Sequence, residues 1–127
     1  MRTPLILAAL ALGACAPTAP GMAQTGTSRE CFFVHEVQSF ASSNDRFVYV
    51  RTGRDEVFEL TTIGCSNTDW SHQIGIAARG GGSSVCTSMD AELIVPGLPG
   101  GRTTCPVTGV RRLSEAELAA LPERDRP

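Results

Sequence analysis

The sequence predicts a mainly β protein, a single small antiparallel sheet or barrel-like domain with a short C-terminal helix, stapled by two disulfides. Three observations predict it. Short runs rich in aromatic and β-branched residues alternate with turn residues from position 31 onward, as in antiparallel strands. Four cysteines lie in that region, and one short stretch near its end carries helix-capping residues. The 127 residues leave room for one such domain and a leader segment.

The strand signals are clearest at a hairpin. Phe47–Arg51 and Val57–Ile63 are rich in aromatic and β-branched residues, and the turn Thr52–Asp55 separates them. In the segment 72–78, apolar residues alternate with polar ones, which predicts a strand with one buried face. The other predicted strands are Cys31–Val37 or Cys31–Phe40, Ser84–Ser88, Ala91–Val95 and part of Thr103–Leu113, with turns at Ser42–Asp45, Arg79–Ser83 and Pro96–Gly101.

The chain closes with a helix signal. Ser114 followed by Glu117 forms a capping box, in which the serine hydroxyl accepts from the amide three residues on and the glutamate accepts from the serine amide. Ala116–Leu121 consists mostly of good helix formers, and Pro122 ends the helix.

The first residues indicate export. Arg2 gives the N-terminal segment a positive charge, Leu5–Leu12 is an unbroken apolar run, and small residues follow it. This order is typical of a secretory signal peptide. The apolar run is far shorter than the roughly 20 residues that a membrane-spanning helix needs.

Residues 12–15 (Leu-Gly-Ala-Cys) resemble, position by position, the lipobox of bacterial lipoprotein signals. The resemblance implies that the Cys15 sulfur receives a diacylglycerol and that cleavage leaves Cys15 as the new N-terminus, so the membrane is a partner through the lipid anchor. Ala16 follows, and the lack of an aspartate there resembles lipoproteins sent to the outer membrane and facing the periplasm. Ordinary secretion, with cleavage after Ala23 and a soluble periplasmic or secreted product, is the alternative.

The residues after Cys15 are rich in Pro, Ala, Thr, Gly and Ser, which predicts a flexible tether. The expected organisation is a signal peptide at 1–14, the lipidated cysteine and tether at 15–30, the disulfide-stapled β domain at 31–121 and a frayed tail at 122–127. A domain of this size is only marginally stable without cross-links.

The remaining cysteines, Cys31, Cys65, Cys86 and Cys105, are even in number, which in an oxidising compartment indicates two disulfides. Three pairings are possible, and the spacing does not choose among them. We favour a nested pairing, Cys65 with Cys86 inside Cys31 with Cys105. A zinc site or a thiol-redox site would need closely spaced pairs such as Cys-X-X-Cys, which are absent from the sequence.

No residue pattern predicts catalysis, a cofactor or a metal site. The histidines are expected to be packed or hydrogen-bonded strand residues, and the acidic groups are expected to be solvated hairpin residues. Ser71 has no G-x-S-x-G context. The residues weighed for chemistry or recognition are His35, His72, Ser71 with Asp69, Asp55-Glu56 with Glu59, Asp90 with Glu92, Gly80-Gly81-Gly82, Arg111-Arg112 and Trp70.

The net charge is −2 at pH 7. A weakly acidic protein is a poor ligand for nucleic acid, because phosphate backbones are bound by basic patches. The sequence therefore argues against nucleic acid as a partner.

Seven framework features occur in an order that resembles a family of small, uncharacterised proteobacterial envelope proteins, a domain of unknown function. They are Cys31-Phe32, Phe47–Val50, Val57–Leu60, Cys65 followed by Asp69-Trp70, Cys86, Cys105-Pro106-Val107 and Leu113-Ser114-Glu115. The resemblance covers roughly residues 31–121. It implies a fold and brings no catalytic or binding residues with it.

The sequence thus favours a non-catalytic, lipid-anchored periplasmic binding or interaction module with an unknown envelope protein as partner. One alternative is an inhibitor-like protein that inserts the loop Pro96–Gly101 into an envelope hydrolase. Another is a small enzyme or metal carrier that uses His35, His72 or the acidic hairpins.

Overall fold

The computed structural model describes residues 30–66, 68, 71–86, 89–97 and 100–127. Eight strands and one α-helix lie within them, and one-turn 3-10 helices lie at Val34–Glu36, Arg79–Gly81 and Glu123–Asp125. The strands are β1 (Phe32–Phe33), β2 (Val37–Asn44), β3 (Phe47–Thr52), β4 (Val57–Thr62), β5 (Gly75–Ala78), β6 (Ser84–Val85), β7 (Ala91–Pro96) and β8 (Arg102–Arg112), and the helix is α1 (Glu115–Ala120). The predicted mainly β fold with a short C-terminal helix is confirmed.

Six strands form one antiparallel sheet in the order β2-β3-β4-β8-β7-β5, and β1 pairs with β6 in a separate two-stranded ribbon. The long strand β8 joins the two halves of the sheet. Its second half pairs with β4, from Val107 opposite Thr62 onward, while its first half pairs with β7, up to Pro106 opposite Glu92. The sheet curls, so side chains from its two edge strands, β2 and β5, line the same groove.

The predicted hairpin is confirmed as β3 and β4, paired from Phe47 opposite Thr61 to Arg51 opposite Val57. The Thr52 amide closes the turn by donating to the Glu56 carbonyl at 2.9 Å.

One face of the sheet encloses the main core, which we call the inner core. Period-two alternation places Val48 and Val50 on this face and Tyr49 on the other. The buried members of the inner core are Phe32, Val48, Val50, Phe58, Leu60, Cys65, Val85, Ala91, Leu93, Val95, Cys105 and Val107. Phe32 and Val85 belong to the ribbon β1–β6, so the ribbon packs its apolar side chains into the concave face of the sheet.

A second group packs on the opposite face, and we call it the outer cluster. Tyr49, Val57 and Leu113 are its buried members, and Phe47, Leu118 and Leu121 pack against them. Helix α1 supplies Leu118. The capping box holds the start of this helix as predicted, because the Ser114 hydroxyl accepts from the Glu117 amide and the Glu117 carboxylate accepts from the Ser114 amide.

The nested disulfide pairing predicted from the sequence is wrong. Cys31 is bonded to Cys86 and Cys65 to Cys105, so the two closed loops interleave. The reason lies in the strand pairing. Residues 31 and 86 are directly opposed in the continuation of the β1–β6 register, and the chain leaving β4 runs alongside β8, where Cys105 lies.

The tail, which the sequence predicts to fray at residues 122–127, packs against the sheet in the structure. Asp125 is 2% exposed, and its carboxylate accepts a hydrogen bond from the Ser43 hydroxyl at 2.9 Å. The Arg51 Nε donates to the Pro127 carbonyl at 2.8 Å. The tail therefore packs against β2 and β3, which lie far away in sequence.

Several strand boundaries also differ from the predictions. The first predicted strand is broken by the turn Val34–Glu36, after which β2 continues through the residues expected to form a turn and ends at Asn44. The strand predicted over residues 72–78 begins at Gly75, and the short strand predicted from Ser84 ends at Val85.

Candidate functional site

The curled sheet leaves a groove between its edge strands, and we call it the seam. It encloses about 270 Å³. Its lining is mostly apolar and comes from Val34, Val37, Gln38, Ser39, Phe40, Ile74 and Ile76. Among the described residues no strand pairs with the seam side of β2 or of β5. The seam is thus an apolar groove bordered by two strand edges.

Strand register explains how the apolar side chains reach the seam. Phe40 lies opposite Val50 on β3, and Ile76 lies opposite Leu93 on β7. Both partners belong to the inner core, so Phe40 and Ile76 extend that core toward the gap between the edge strands. They are only partly buried, because no strand covers them from the seam side.

Irregularities in β2 limit the length of its regular edge. The β2–β3 register shifts between Val37 and Ser39 and again between Ser42 and Asn44. Bulges are a common protection against unwanted strand pairing, because they bend an edge. The stretch Ser39–Ser42, between the two bulges, keeps a continuous register with β3. A short regular edge therefore borders the seam.

A row of polar side chains crosses the outer face next to the outer cluster. Tyr49 lies opposite Glu59 on β4, and Glu59 lies opposite Arg111 on β8. The Arg111 guanidinium contacts the Glu59 carboxylate at 3.2 Å and also pairs with Glu117 of α1. The charges of Glu59 and Arg111, which both lie on the sheet, thus neutralise each other. Arg111 also links the helix to the sheet through Glu117.

The surroundings on the outer face shift the pKa values of Tyr49 and Glu117. Burial raises the pKa of the Tyr49 hydroxyl, and the negative charges of Glu59 and Asp125 raise it further. The pKa of Glu117 is lowered, first because the Ser114 amide donates to its carboxylate and then because Arg111 does. The first shift reflects the burial of Tyr49, and the second reflects the capping box and the contact of Glu117 with Arg111.

A polar cleft of about 510 Å³ lies beside the network, between the β3–β4 turn and α1. The Arg112 amide donates to the Glu30 carboxylate at 2.7 Å, and the Arg112 guanidinium contacts Glu56 at 3.1 Å. The amide and the guanidinium of Arg112 therefore both have acidic partners within the chain at this cleft.

The other residues weighed from the sequence are spread over the surface. His35 and His72 are exposed, and the His35 ring lies 5.4 Å from the Phe33 ring. Asp55 and Glu92 face arginines, Arg51 at 3.8 Å and Arg79 at 2.6 Å. Within the described part of the chain, His, Cys, Asp and Glu side chains form no group of three that could hold a metal ion.

The first two glycines of the segment Gly80–Gly82 belong to the 3-10 helix Arg79–Gly81, and a backbone hydrogen bond closes the base of the loop that the sequence offered for an inhibitor role. Gly80 and Gly81 have positive φ angles of 77° and 75°, which glycine adopts readily. In the loop between β7 and β8 the Gly97 amide donates to the Gly101 carbonyl at 2.7 Å. Cys15, Asp69, Trp70 and the two residues at the tip of this loop, 98–99, lie outside the described residues.

No helix within the described ranges is long and apolar enough to cross a membrane. The two disulfides indicate an extracytoplasmic compartment, because disulfides persist where the environment is oxidising.

Sequence reasoning missed the seam and the buried tail. The alternation of Ile74, Ile76 and Ala78 was a signal for one half of the seam, and all three pack against the inner core. Nothing in the sequence indicates that β5 lies close to β2, because the two strands are at opposite ends of the sheet order.

Fold and site together define a small extracytoplasmic β domain with two disulfides and an open apolar seam. The chain belongs to a family of unknown function, DUF6491, whose model matches residues 1–126. No curated protein and no solved structure matches the chain.

Proposed function

We propose that this chain is a non-catalytic binding module of the bacterial envelope, anchored to the outer membrane through a lipid on Cys15. We further propose that it binds an extended segment of an envelope protein in the seam. The observation that carries the binding role is the seam itself, in which two strand edges border an apolar groove. Domains that recognise extended peptides use the same elements, since an edge supplies backbone hydrogen bonds and a groove takes alternate side chains.

Charge supports a protein segment as the occupant. The seam is lined by five apolar residues together with Gln38 and Ser39, so no charged side chain lines it. A phosphate, a nucleic acid or an anionic headgroup would find no basic partner there. An uncharged, extended peptide with apolar side chains at alternate positions matches this lining.

Two observations support the anchor. Residues 12–15 carry the lipobox-like order Leu-Gly-Ala-Cys. The four cysteines of the domain are consumed in disulfides with each other, which leaves Cys15 available for a lipid. Stable anchoring takes more than one acyl chain, and the two chains of a diacylglycerol meet that requirement.

Intact-mass measurement of the protein purified from its own envelope tests the anchor. We expect a protein that starts at Cys15, carries the mass of the acyl chains and contains no free thiol. A Cys15→Ser variant is expected to lose the added mass and to leave the membrane fraction. An unmodified protein cleaved after Ala23 would contradict the anchor and leave the binding role standing.

Site-specific photocrosslinking in intact cells tests the seam. A photoreactive residue is placed at Gln38, which lines the seam and is exposed, or at Thr104, an exposed control on β8. We expect a discrete crosslinked partner from position 38 and none from position 104.

A matched pair of substitutions then tests whether the crosslink depends on binding in the seam. Ile74→Arg places a charge in the seam, whereas Gln73→Arg places the same charge on a neighbouring exposed residue outside its lining. We expect Ile74→Arg to abolish the crosslink from position 38 and Gln73→Arg to preserve it. Equal yields in the two variants would refute binding in the seam, provided that both keep the far-UV circular dichroism of the parent.

A further inference from the structure

The two disulfides differ sharply in exposure. Cys65 and Cys105 are each 1% exposed and belong to the inner core. Cys31 is exposed, and Cys86 is partly exposed. Thiol–disulfide exchange requires a thiolate to reach a sulfur atom, so an external thiol has much better access to the Cys31–Cys86 bond.

The exposed bond also closes a separate structural unit. It joins the β1–β6 ribbon, in which each strand has two residues. Beyond the strands, the Val34 amide donates to the Ser83 carbonyl at 2.8 Å. Two-stranded ribbons of this length are not stable on their own, so the ribbon depends on the bond and on its packing against the sheet.

The six-stranded sheet does not depend on this bond for its connections. Its strands pair with one another, and its own disulfide lies between the chain leaving β4 and strand β8. The ribbon contributes Phe32, whose ring centroid lies 5.0 Å from that of Phe58, and the buried Val85. Opening the exposed bond therefore loosens the cover over one part of the inner core while the sheet keeps its ladder and its buried disulfide.

We infer that Cys31–Cys86 is a thiol–disulfide exchange site, which a dithiol protein of the envelope opens while the six-stranded sheet stays folded. One thiolate of the dithiol attacks Sγ of Cys31, the S–S bond breaks, and Cys86 leaves as a thiolate. The second thiolate of the dithiol then attacks the mixed disulfide and releases Cys31. Two electrons pass from the dithiol to this domain, the dithiol becomes a disulfide, and its two protons end on Cys31 and Cys86.

This inference does not rest on the proposed binding role, because it uses only the exposure of the cysteines and their place in the fold. Its consequence is a domain with two oxidation states that share one sheet and differ in the ribbon. The turn that contains Val34, which lines the seam, follows β1 directly, so the ribbon and the seam are neighbours along the chain.

Graded reduction of the purified, fully oxidised protein with dithiothreitol tests the inference. Samples are quenched with N-ethylmaleimide at intervals, and labelled cysteines are located by peptide mass mapping. We expect Cys31 and Cys86 to be labelled at least ~10-fold faster than Cys65 and Cys105, as for a bond that opens without global unfolding. The far-UV circular dichroism should stay unchanged while that first pair is labelled.

A second measurement identifies the attacked sulfur. With the monothiol glutathione in place of dithiothreitol, the first mixed disulfide should form on Cys31. Labelling of all four cysteines at one rate, together with loss of the circular dichroism, would overturn the inference. So would earlier labelling of Cys65 and Cys105, or first attack at Cys86.

Discussion

The inner core and the outer cluster lie on opposite faces of the same central strands, but they are closed in different ways. The inner core is formed by apolar side chains from both halves of the sheet and contains a buried disulfide. The outer cluster has three buried members and is covered by a six-residue helix and a short tail. Around it lie the charged pairs of Arg111.

The two faces of the sheet are therefore stabilised by different kinds of interaction. The inner core relies on apolar burial, which does not depend on the ionisation of side chains. The outer cluster relies on hydrogen bonds and ion pairs that hold its cover in place, and exposed ion pairs contribute little individually. We therefore expect substitutions to be costly on the inner face and milder on the outer face.

Removal of a fully buried side chain should have the largest effect. Leu93 is 0% exposed, and Leu93→Ala is expected to lower the free energy of unfolding by about 2–5 kcal/mol, since it leaves a cavity in the inner core. Leu118→Ala on the half-buried outer side should lower it by only about 1 kcal/mol. Denaturant unfolding followed by circular dichroism measures both. Equal losses in the free energy of unfolding would contradict the expected difference between the inner and outer faces.

Loss of the buried carboxylate in the tail should come next. Asp125→Ala leaves the Ser43 hydroxyl without its acceptor, and we expect the free energy of unfolding to fall by about 1–2 kcal/mol. The same change removes one of the charges that raise the pKa of Tyr49, so that pKa should fall as well. Glu123→Ala, at an exposed tail residue, is the matched control. An Asp125→Ala variant with unchanged stability and unchanged tyrosine titration would show that the tail does not close the outer cluster.

The capping box gives a smaller, local effect. Ser114→Ala removes the hydroxyl that accepts from the Glu117 amide, and an N-cap serine contributes about 1 kcal/mol. Glu117→Gln is a matched variant, because glutamine can still accept from the Ser114 amide but loses its charge toward Arg111. Urea midpoints should fall more for Ser114→Ala than for Glu117→Gln, and the reverse order would mean that the ion pair, not the cap, holds α1.

The smallest expected effect on stability comes from the ionisation of Tyr49 at high pH. Tyr49 is the single tyrosine of the chain, so its ultraviolet absorbance reports its ionisation directly. We expect a pKa above 10.0 in the folded protein, lowered by Glu59→Gln and raised further by Arg111→Met. A tyrosine that ionises at or below 10.0 would show that the outer cluster is open to water.

Because folding raises the pKa of Tyr49, the free energy of unfolding depends on pH in the alkaline range. The unfolded chain loses the tyrosine proton near pH 10.0, while the folded chain keeps it to higher pH. The raised pKa therefore contributes stability that is complete below pH 10.0 and is lost as the pH rises through the folded-state value.

Local signals explain which parts of the fold could be predicted from sequence. The β3–β4 hairpin and the Ser114–Glu117 capping box are encoded by residues close together in the chain, and both are confirmed. The cysteine pairing depends on which strands become neighbours, a property that spacing does not record. The packing of the tail depends on Ser43, which lies 82 residues from Asp125 in sequence.

The candidate site was beyond prediction for the same reason. The seam exists because the two ends of the sheet order approach each other. Phe40 and Ile76 look like ordinary strand residues in the sequence, and each is half-buried in the structure. Their incomplete burial is a property of sheet curvature, which no short segment of sequence contains.

The position of β8 has a consequence for how the protein is assembled. Among the described strands, it alone joins β2-β3-β4 to β7-β5, and it is the last strand in the chain. A chain that emerges N-terminus first therefore holds two unfinished half-sheets until Arg112 is available. Such distant pairings slow folding, and exposed strand edges favour aggregation in the meantime. Substitutions that weaken β8 should consequently reduce the yield of exported protein more than their equilibrium effect alone would suggest.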